Sequence, residues 1–377
     1  MGRKLITTGN DLVSMAALEA GCNFFAGYPI TPSSDIMHNM SVELPKFDGH
    51  FIQMEDEIGS VCAAIGASMS GAKAMTGSSG PGISLKSEQI GYSFITEVPL
   101  VIVNVMRGGP STGLPTHVSQ ADVGQAKYPT HGDYASISLC PGSLEECYSM
   151  TIEAFNLAEK YMTPVFLLLD ETVGHMQSEV ELPDLEDVKK MVINREVYTG
   201  DKDTYEPYNA PMDKPAVLNP FFKGYKYHVT GLHHGHKGFP TEDPVQSQYN
   251  IDRLTGKVNN NRGDIVKYAE YMLDDADICI IAYGSISRSA KSAIAKLREK
   301  GIKAGMFRPI TLWPSPDKQL QEIGKKFKHI FVTELNMGQY LEEVQRCTKR
   351  DDIGTLHRAN GKPIPPLEIV AKVEEML

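Results

Sequence analysis

The stretch Gly27-Tyr28-Pro29-Ile30-Thr31-Pro32-Ser33-Ser34-Asp35 decides how the chain is read. It follows a short apolar run, residues 23–26, with the character of a strand. It precedes Ile36, Met37, Met40 and Leu44, which recur at helical spacing. Pro29 and Pro32 each fix their own φ and push the residue before them out of the helical region. Thr31 is therefore expected between two rigid points, at the carboxyl end of a strand, with Ser33 or Ser34 capping the next helix. In open α/β sheets that end of a strand is where ligands bind. The stretch is either such a site or a braced turn with no chemistry.

The same grammar repeats outward. Asn10 is a candidate cap for a helix carrying Leu12, Val13, Ala16 and Ala17, stopped by Gly21. His50–Gln53 reads as a strand, and Glu55-Asp56-Glu57 leads into a helix rich in small residues. Residues 72–76 form a strand that runs into Gly77-Ser78-Ser79-Gly80-Pro81-Gly82 and a further helix. A Gly/Ser turn between strand and helix presents backbone N–H groups to an anion, or simply lets helix and strand approach closely. The run 99–106 is almost continuously apolar, as in a strand buried on both faces. It ends in Arg107, and residues 107–133 read as a long polar loop of the kind that often carries function. Strands near 135–139 and 164–169 flank a helix opened by Ser143 and Glu146 as a capping box. From about 182 to 262 periodicity fades. A histidine cluster at residues 231–237 sits there, read as a solvated or substrate-facing loop because no carboxylate or cysteine frame completes a metal site. Strands near 277–283, 303–307 and 329–333 then build a second α/β unit.

Alternating strands and helices predict an α/β chain with a doubly wound parallel sheet followed by a smaller α/β domain. The expected divisions are 1–180, an irregular connection over 181–262, and 263–377. The 377 residues are 41% hydrophobic and 22% charged, as in ordinary globular proteins. A net charge of -10 argues against nucleic acid as a main partner. Apolar runs are strand-sized, so no membrane partner is expected. The first residues show no apolar stretch behind their charges, which makes a cytoplasmic protein the expectation. None of the six cysteines forms a C-x-x-C pair, so no zinc or iron–sulfur signature is present.

Three segments together, Tyr28-Pro29-Ile30-Thr31-Pro32-Ser33, Arg107 to Thr116, and Thr311-Leu312-Trp313-Pro314, resemble the 2-oxoacid:ferredoxin oxidoreductases. The match is closest to the alpha subunit of the 2-oxoglutarate branch and covers nearly the whole chain. The resemblance implies a thiamine-diphosphate enzyme that decarboxylates a 2-oxoacid, makes an acyl-CoA from coenzyme A and reduces ferredoxin. For 2-oxoglutarate the products are succinyl-CoA and CO2. It implies that this chain holds the cofactor's pyrimidine side and ends in a transketolase-C-terminal-like domain. A beta subunit would carry the diphosphate, Mg2+ and an iron–sulfur cluster, with small ferredoxin-like or gamma subunits as further partners. The sequence agrees with that division, because the Gly-Asp-Gly that opens a diphosphate–magnesium motif is missing. No metal site is expected on this chain.

By the same resemblance Glu57 is the acid that hydrogen-bonds the pyrimidine N1′, with Glu55 as runner-up, and any of the acids here can simply favour the helix N-terminus. Arg107 would hold the substrate carboxylate, and Thr31 the substrate or what forms from it. Tyr28, Pro29, Ile30, Ser78, Ser79 and Gly80 would line the cofactor, and Thr112 and Thr116 would reach the substrate. The rivals are a pyruvate or branched-chain alpha subunit and a non-catalytic scaffold.

Overall fold

The computed structural model describes residues 2–377. Its main sheet has eight strands. In chain order they are β2 (Phe24–Gly27), β3 (His50–Gln53), β4 (Ala74–Ser78), β5 (Leu100–Gly108), β6 (Leu114–Val118), β7 (Ile137–Leu139), β8 (Pro164–Asp170) and β13 (Thr311–Trp313). The spatial order is β13-β7-β8-β5-β4-β2-β3, with β6 paired to the end of β5. All pairs along β7-β8-β5-β4-β2-β3 are parallel. A second sheet, β10 (Tyr268–Tyr271), β11 (Ile278–Ile281), β12 (Ala304–Pro309), β14 (His329–Glu334) and β15 (Gly354–His357), has the order β10-β12-β11-β14-β15. A small antiparallel pair joins β1 (Arg3–Thr8) to β9 (Gln177–Leu182).

β5 shows why its sequence is apolar throughout. Val101, Val103 and Val105 enter the core under the helices Gly9–Glu19 and Leu144–Tyr161. Leu100, Ile102 and Met106 enter a second core on the opposite face. That second core continues without a break into Cys279 and Ile281 of β11 and Trp313 of β13. Two helical layers therefore cover one parallel sheet, and the smaller sheet packs against one of them.

From β2 the chain runs outward to β3, then returns past β2 to β4 and proceeds the other way. The reversal between β2 and β4 is the topological switch point of this sheet. These two strands are in register only at Phe24↔Ala74 and Phe25↔Met75. Their carboxyl ends diverge, and the two turns singled out in the sequence lie on either side of that crevice.

Several local expectations change. The first helix is capped by Thr8, not Asn10: Thr8 and Asp11 form a reciprocal capping box. β1 runs straight into the helix, so the cap falls on its last residue. Asn10 is buried and donates from Nδ2 to the Pro32 carbonyl at 3.0 Å. Ser33 occupies the cap position of the helix Ser34–Glu43, but its hydroxyl donates to the Ile30 carbonyl instead of capping. The polar loop after Arg107 contains β6 and a short helix, Val123–Lys127. β6 can fold back on β5 because Gly113 takes φ +54 and leaves no room for a side chain, a Cβ there lying 1.8 Å from the Gly108 carbonyl oxygen.

The connection expected to be irregular holds a long helix, Pro244–Asn259, with Asp243 as its cap. Its hydrophobic period is masked, since Arg253 and Lys257 occupy its buried face beside Leu254 and Val258. Both cations meet Glu97, which is fully buried. Lys257 Nζ lies 2.9 Å from Oε2, and Arg253 pairs with Oε1. β13 belongs to the later part of the chain by sequence, yet it pairs antiparallel with β7 in the first sheet.

Candidate active site

The crevice is floored by residues from three strand ends and one helix start. Asp56, at the N-cap of the helix Glu57–Met69, accepts from the Gly59 N–H at 2.7 Å. Glu55 is exposed. Of the three neighbouring acids only Glu57 turns inward, with 6% of its surface exposed. It faces Gly82, where an added Cβ would lie 2.2 Å from Ser78 Oγ and 2.7 Å from Glu57 Oε1. Glycine is required there because β4 and two helices converge.

Arg107 closes the other side, 5% exposed at the end of β5. Its Nη1 donates to the Thr31 carbonyl at 2.6 Å and ties the opening stretch to the central strand. Burial pushes the guanidinium down, and the nearby Asp122 and Glu57 carboxylates oppose that shift. Asp122, buried as well, accepts from Asn104 Nδ2 at 3.0 Å. Its carboxyl is pushed up by burial, against hydrogen bonds from Asn104 and the Gly80 backbone and the charge of Arg107.

Four buried polar atoms here have no partner within the protein: Ser78 Oγ, Ser79 Oγ, Asn104 Oδ1 and Arg107 Nε. Buried polar atoms are normally satisfied, and exceptions call for a ligand or a water. A cavity of about 800 Å3 opens beside them, lined by Gly80, Arg107, Gly108 and Asp122 from the first unit and by Asn336, Met337 and Gln339 from the second. The second wall is fixed in place. Gln339 Nε2 donates to the Ala121 carbonyl at 2.6 Å, and Asn336 Nδ2 donates to the Gln120 carbonyl at 2.8 Å.

Thr31, Glu57, Ser78, Ser79, Gly80 and Arg107 thus converge on the switch point. Tyr28 and Pro29 are exposed on its rim and Ile30 is half-buried. Thr112 and Thr116 are exposed and do not line the cavity. The pocket residues that the sequence reading missed, Asp122, Asn336 and Gln339, carry no motif; only the tertiary packing of a loop and a second unit brings them there. The histidine cluster lies elsewhere and is not a solvated or substrate-facing loop throughout. His234 is 1% exposed, packs against Tyr208 at 4.2 Å, and is pushed down by burial. The one three-ligand cluster among the described residues, Asp317, Glu343 and Cys347, is already engaged by Arg346 and Lys127.

The unpartnered hydroxyls, one inward carboxylate and one guanidinium suit an aminopyrimidine ring and a carboxylate substrate. Residues 15–251 match the family of pyruvate flavodoxin/ferredoxin oxidoreductases in its thiamine-diphosphate-binding region, and residues 276–369 match core domain II of pyruvate:ferredoxin oxidoreductase. The chain is 46% identical over 363 residues to the 2-oxoglutarate synthase subunit KorA of Methanocaldococcus jannaschii, covering 96% of each chain. It is similar to the solved 2-oxoglutarate:ferredoxin oxidoreductase of Magnetococcus marinus, whose structure has 2-oxoglutarate, coenzyme A and succinyl-CoA bound. There the TM-score is 0.91 and the identity 33%, over 99% of this chain and 65% of that one. A split-gene transketolase shares the fold alone, at TM-score 0.53 and 13% identity over 98% of this chain and 96% of that one.

Proposed function

The chain belongs to the 2-oxoacid:ferredoxin oxidoreductase family, and from that membership we propose that it is the alpha subunit of a thiamine-diphosphate-dependent 2-oxoglutarate:ferredoxin oxidoreductase. The reaction is oxidative decarboxylation of 2-oxoglutarate with coenzyme A to succinyl-CoA and CO2, the electrons leaving to ferredoxin or a similar acceptor. The observation that carries the reading is the inward Glu57 facing the Gly82 notch, with unpartnered Ser78 and Ser79 beside it and Arg107 across the crevice.

When bound, thiamine diphosphate supplies the nucleophilic carbon and the electron sink for decarboxylation. Glu57 would hold a proton in common with the ring nitrogen N1′, and burial makes that shared proton count for more than it does in water. Ser78, Ser79 and the Gly80 backbone would line the ring, with Tyr28, Pro29 and Ile30 forming the outer rim. Arg107 keeps Nε free after Nη1 has been used on Thr31, and would hold the substrate carboxylate. Thr31 is exposed beside it and would contact the substrate. Among the lining side chains Arg107 is the one cation. We therefore assign the second carboxylate of 2-oxoglutarate to a cation of the beta subunit, together with the diphosphate, Mg2+ and the iron–sulfur cluster.

The deciding experiment is reconstitution with the beta subunit, thiamine diphosphate, Mg2+ and coenzyme A, tested against a panel of 2-oxoacids with a viologen acceptor. The chain alone should be inactive and the complex should prefer 2-oxoglutarate. A preference for pyruvate or branched-chain 2-oxoacids moves the substrate assignment, and an inactive complex returns the chain to a scaffold. In the same assay Arg107→Ala should lower kcat/KM by roughly 10²- to 10³-fold, the loss expected for one partner of a buried charged pair. An unchanged substrate response removes Arg107 from the site.

A further inference from the structure

Lys86 is fully buried, and nothing in the proposed chemistry uses it. It ends the short helix Pro81–Leu85. Residues four apart on a helix share a face, so Lys86 lies one turn below Gly82. Alternate residues of a strand share a face, so Thr76 lies one step below Ser78 on β4. The contacts follow this layering. Gly82 packs against Ser78 and Glu57 in the upper layer. Lys86 Nζ donates to Thr76 Oγ1 at 2.7 Å in the lower one.

A buried ammonium with a neutral hydroxyl for a partner is costly unless a counter-charge is near. The charge that acts on Lys86 is the Glu57 carboxylate, from the facing helix. The other charges on this side are Arg107, on β5, which also feels Glu57, and Asp122, on the loop beyond it, which faces Arg107. No ion pair closes between Lys86 and Glu57 among the described residues, so the carboxylate stays free to face the crevice.

Building on the role given to Glu57 above, we infer that Lys86 is a positioning residue that acts through Glu57: its buried cation, one helical turn below the Gly82 notch that the carboxylate faces, favours the proton shared with the thiamine pyrimidine resting on N1′. Burial pushes the Lys86 ammonium down to about 7, against the pull of Glu57. The influence is therefore full on the acid side of neutrality and fades as the ammonium is lost above it.

The test is the exchange of the cofactor's C2 proton for deuterium, followed by NMR in the complex of this chain with its beta subunit, from mildly acid to mildly alkaline pH. Lys86→Met and the neutral near-isostere Lys86→Gln should slow exchange by about tenfold at acid pH, the equivalent of one pKa unit of lost interaction. Wild type and variants should converge on the alkaline side, and Lys86→Arg should restore the acid-side rate. A merely structural role would lower the rate by one factor at every pH, and that result overturns the inference. So do variants that match wild type throughout. If neither neutral variant assembles, the wild-type profile decides, a rate that is flat through neutrality being the contrary result. Should the wild-type complex exchange no faster than free cofactor, the reading of Glu57 itself fails. Rapid wild-type exchange with unaffected variants removes Lys86 alone.

Discussion

Two buried glutamates lie at the ends of helices that pack on the same face of the main sheet. Glu57 starts the helix Glu57–Met69, and Glu97 follows the helix Ser87–Ile95. Glu97 is saturated. It pairs with Arg253 and Lys257 and accepts the Ala216 N–H at 3.0 Å. Those bonds fasten the helix Pro244–Asn259 and the segment before it to the core. Glu57 has its nearest cations held apart from it, and the hydroxyls of Ser78 and Ser79 next to it go unpartnered. One carboxylate has been used to close the fold, and the other has been left open to a ligand. Burial alone does not separate a structural charge from a functional one; the state of the groups around it does.

The contrast is broken first by exchanging each glutamate for its amide. Glu57→Gln should slow C2 exchange on the bound cofactor by about 10²- to 10⁴-fold, the usual worth of a positioned acid–base group. Its denaturant midpoint should fall far less than that of the Glu97 variant, since no closed ion pair is broken and only the longer-range charge felt by Lys86 and Arg107 is lost. Wild-type exchange rates in this variant would send the role to Glu55.

Glu97→Gln should do the reverse. Unpairing two buried cations costs about 3–5 kcal/mol of stability, seen as a lower urea midpoint, while exchange in the folded fraction stays normal. Burial pushes the Glu97 carboxyl up, but Arg253 and then Lys257 more than reverse this and hold it down to about 2. A depressed carboxyl stabilises the fold above its unfolded value, about 4.3 for glutamate. That contribution is lost as the pH falls from there through about 2, so the two proteins should converge in stability in strong acid. A gap that persists unchanged at low pH would show that packing, and not charge, holds this segment.

The smallest effect sharpens the comparison at the surface. His175 bonds Glu171 at 3.2 Å, lies 3.4 Å from Asp35, and touches the Pro32 carbonyl in the turn after β2. The Glu171 hydrogen bond, opposed by partial burial, raises its ring. A raised histidine stabilises fully below its unfolded value and loses that contribution as the pH climbs through the folded one. His175→Gln should therefore cost something below 1 kcal/mol at mildly acid pH, as exposed pairs do, and nothing at alkaline pH. An equal cost at both pH values would exclude the charge as its origin.

The parts of the site that depend on local chain geometry were legible. Pro29, Pro32, the Gly/Ser turn and the apolar run ending in Arg107 all mark strand ends, and strand ends of a parallel sheet share an edge. The parts that depend on compensation were not. Arg253 and Lys257 make the Pro244–Asn259 helix look polar on the face it buries, because the partner that neutralises them is more than 150 residues away in the chain. β6 depends on a left-handed glycine that a composition reading counts as loop. Among Glu55, Asp56 and Glu57, spacing alone does not say which one turns inward. The capping bond from Gly59 to Asp56 fixes the rotation of the helix and so selects Glu57.

β13 gives the site a mechanical character. Thr311–Trp313 comes from the later unit but is hydrogen-bonded into the first sheet, and Trp313 Nε1 donates to the Val123 carbonyl at 2.8 Å. The later unit is in this sense stitched to the earlier one. It cannot swing away as a lid without unzipping a strand, although it supplies one wall of the cavity. Strand pairing and these hydrogen bonds set the separation of the two walls in the folded chain. The alignment of Arg107 with the opposite wall is set when the chain folds and need not be rebuilt for each substrate.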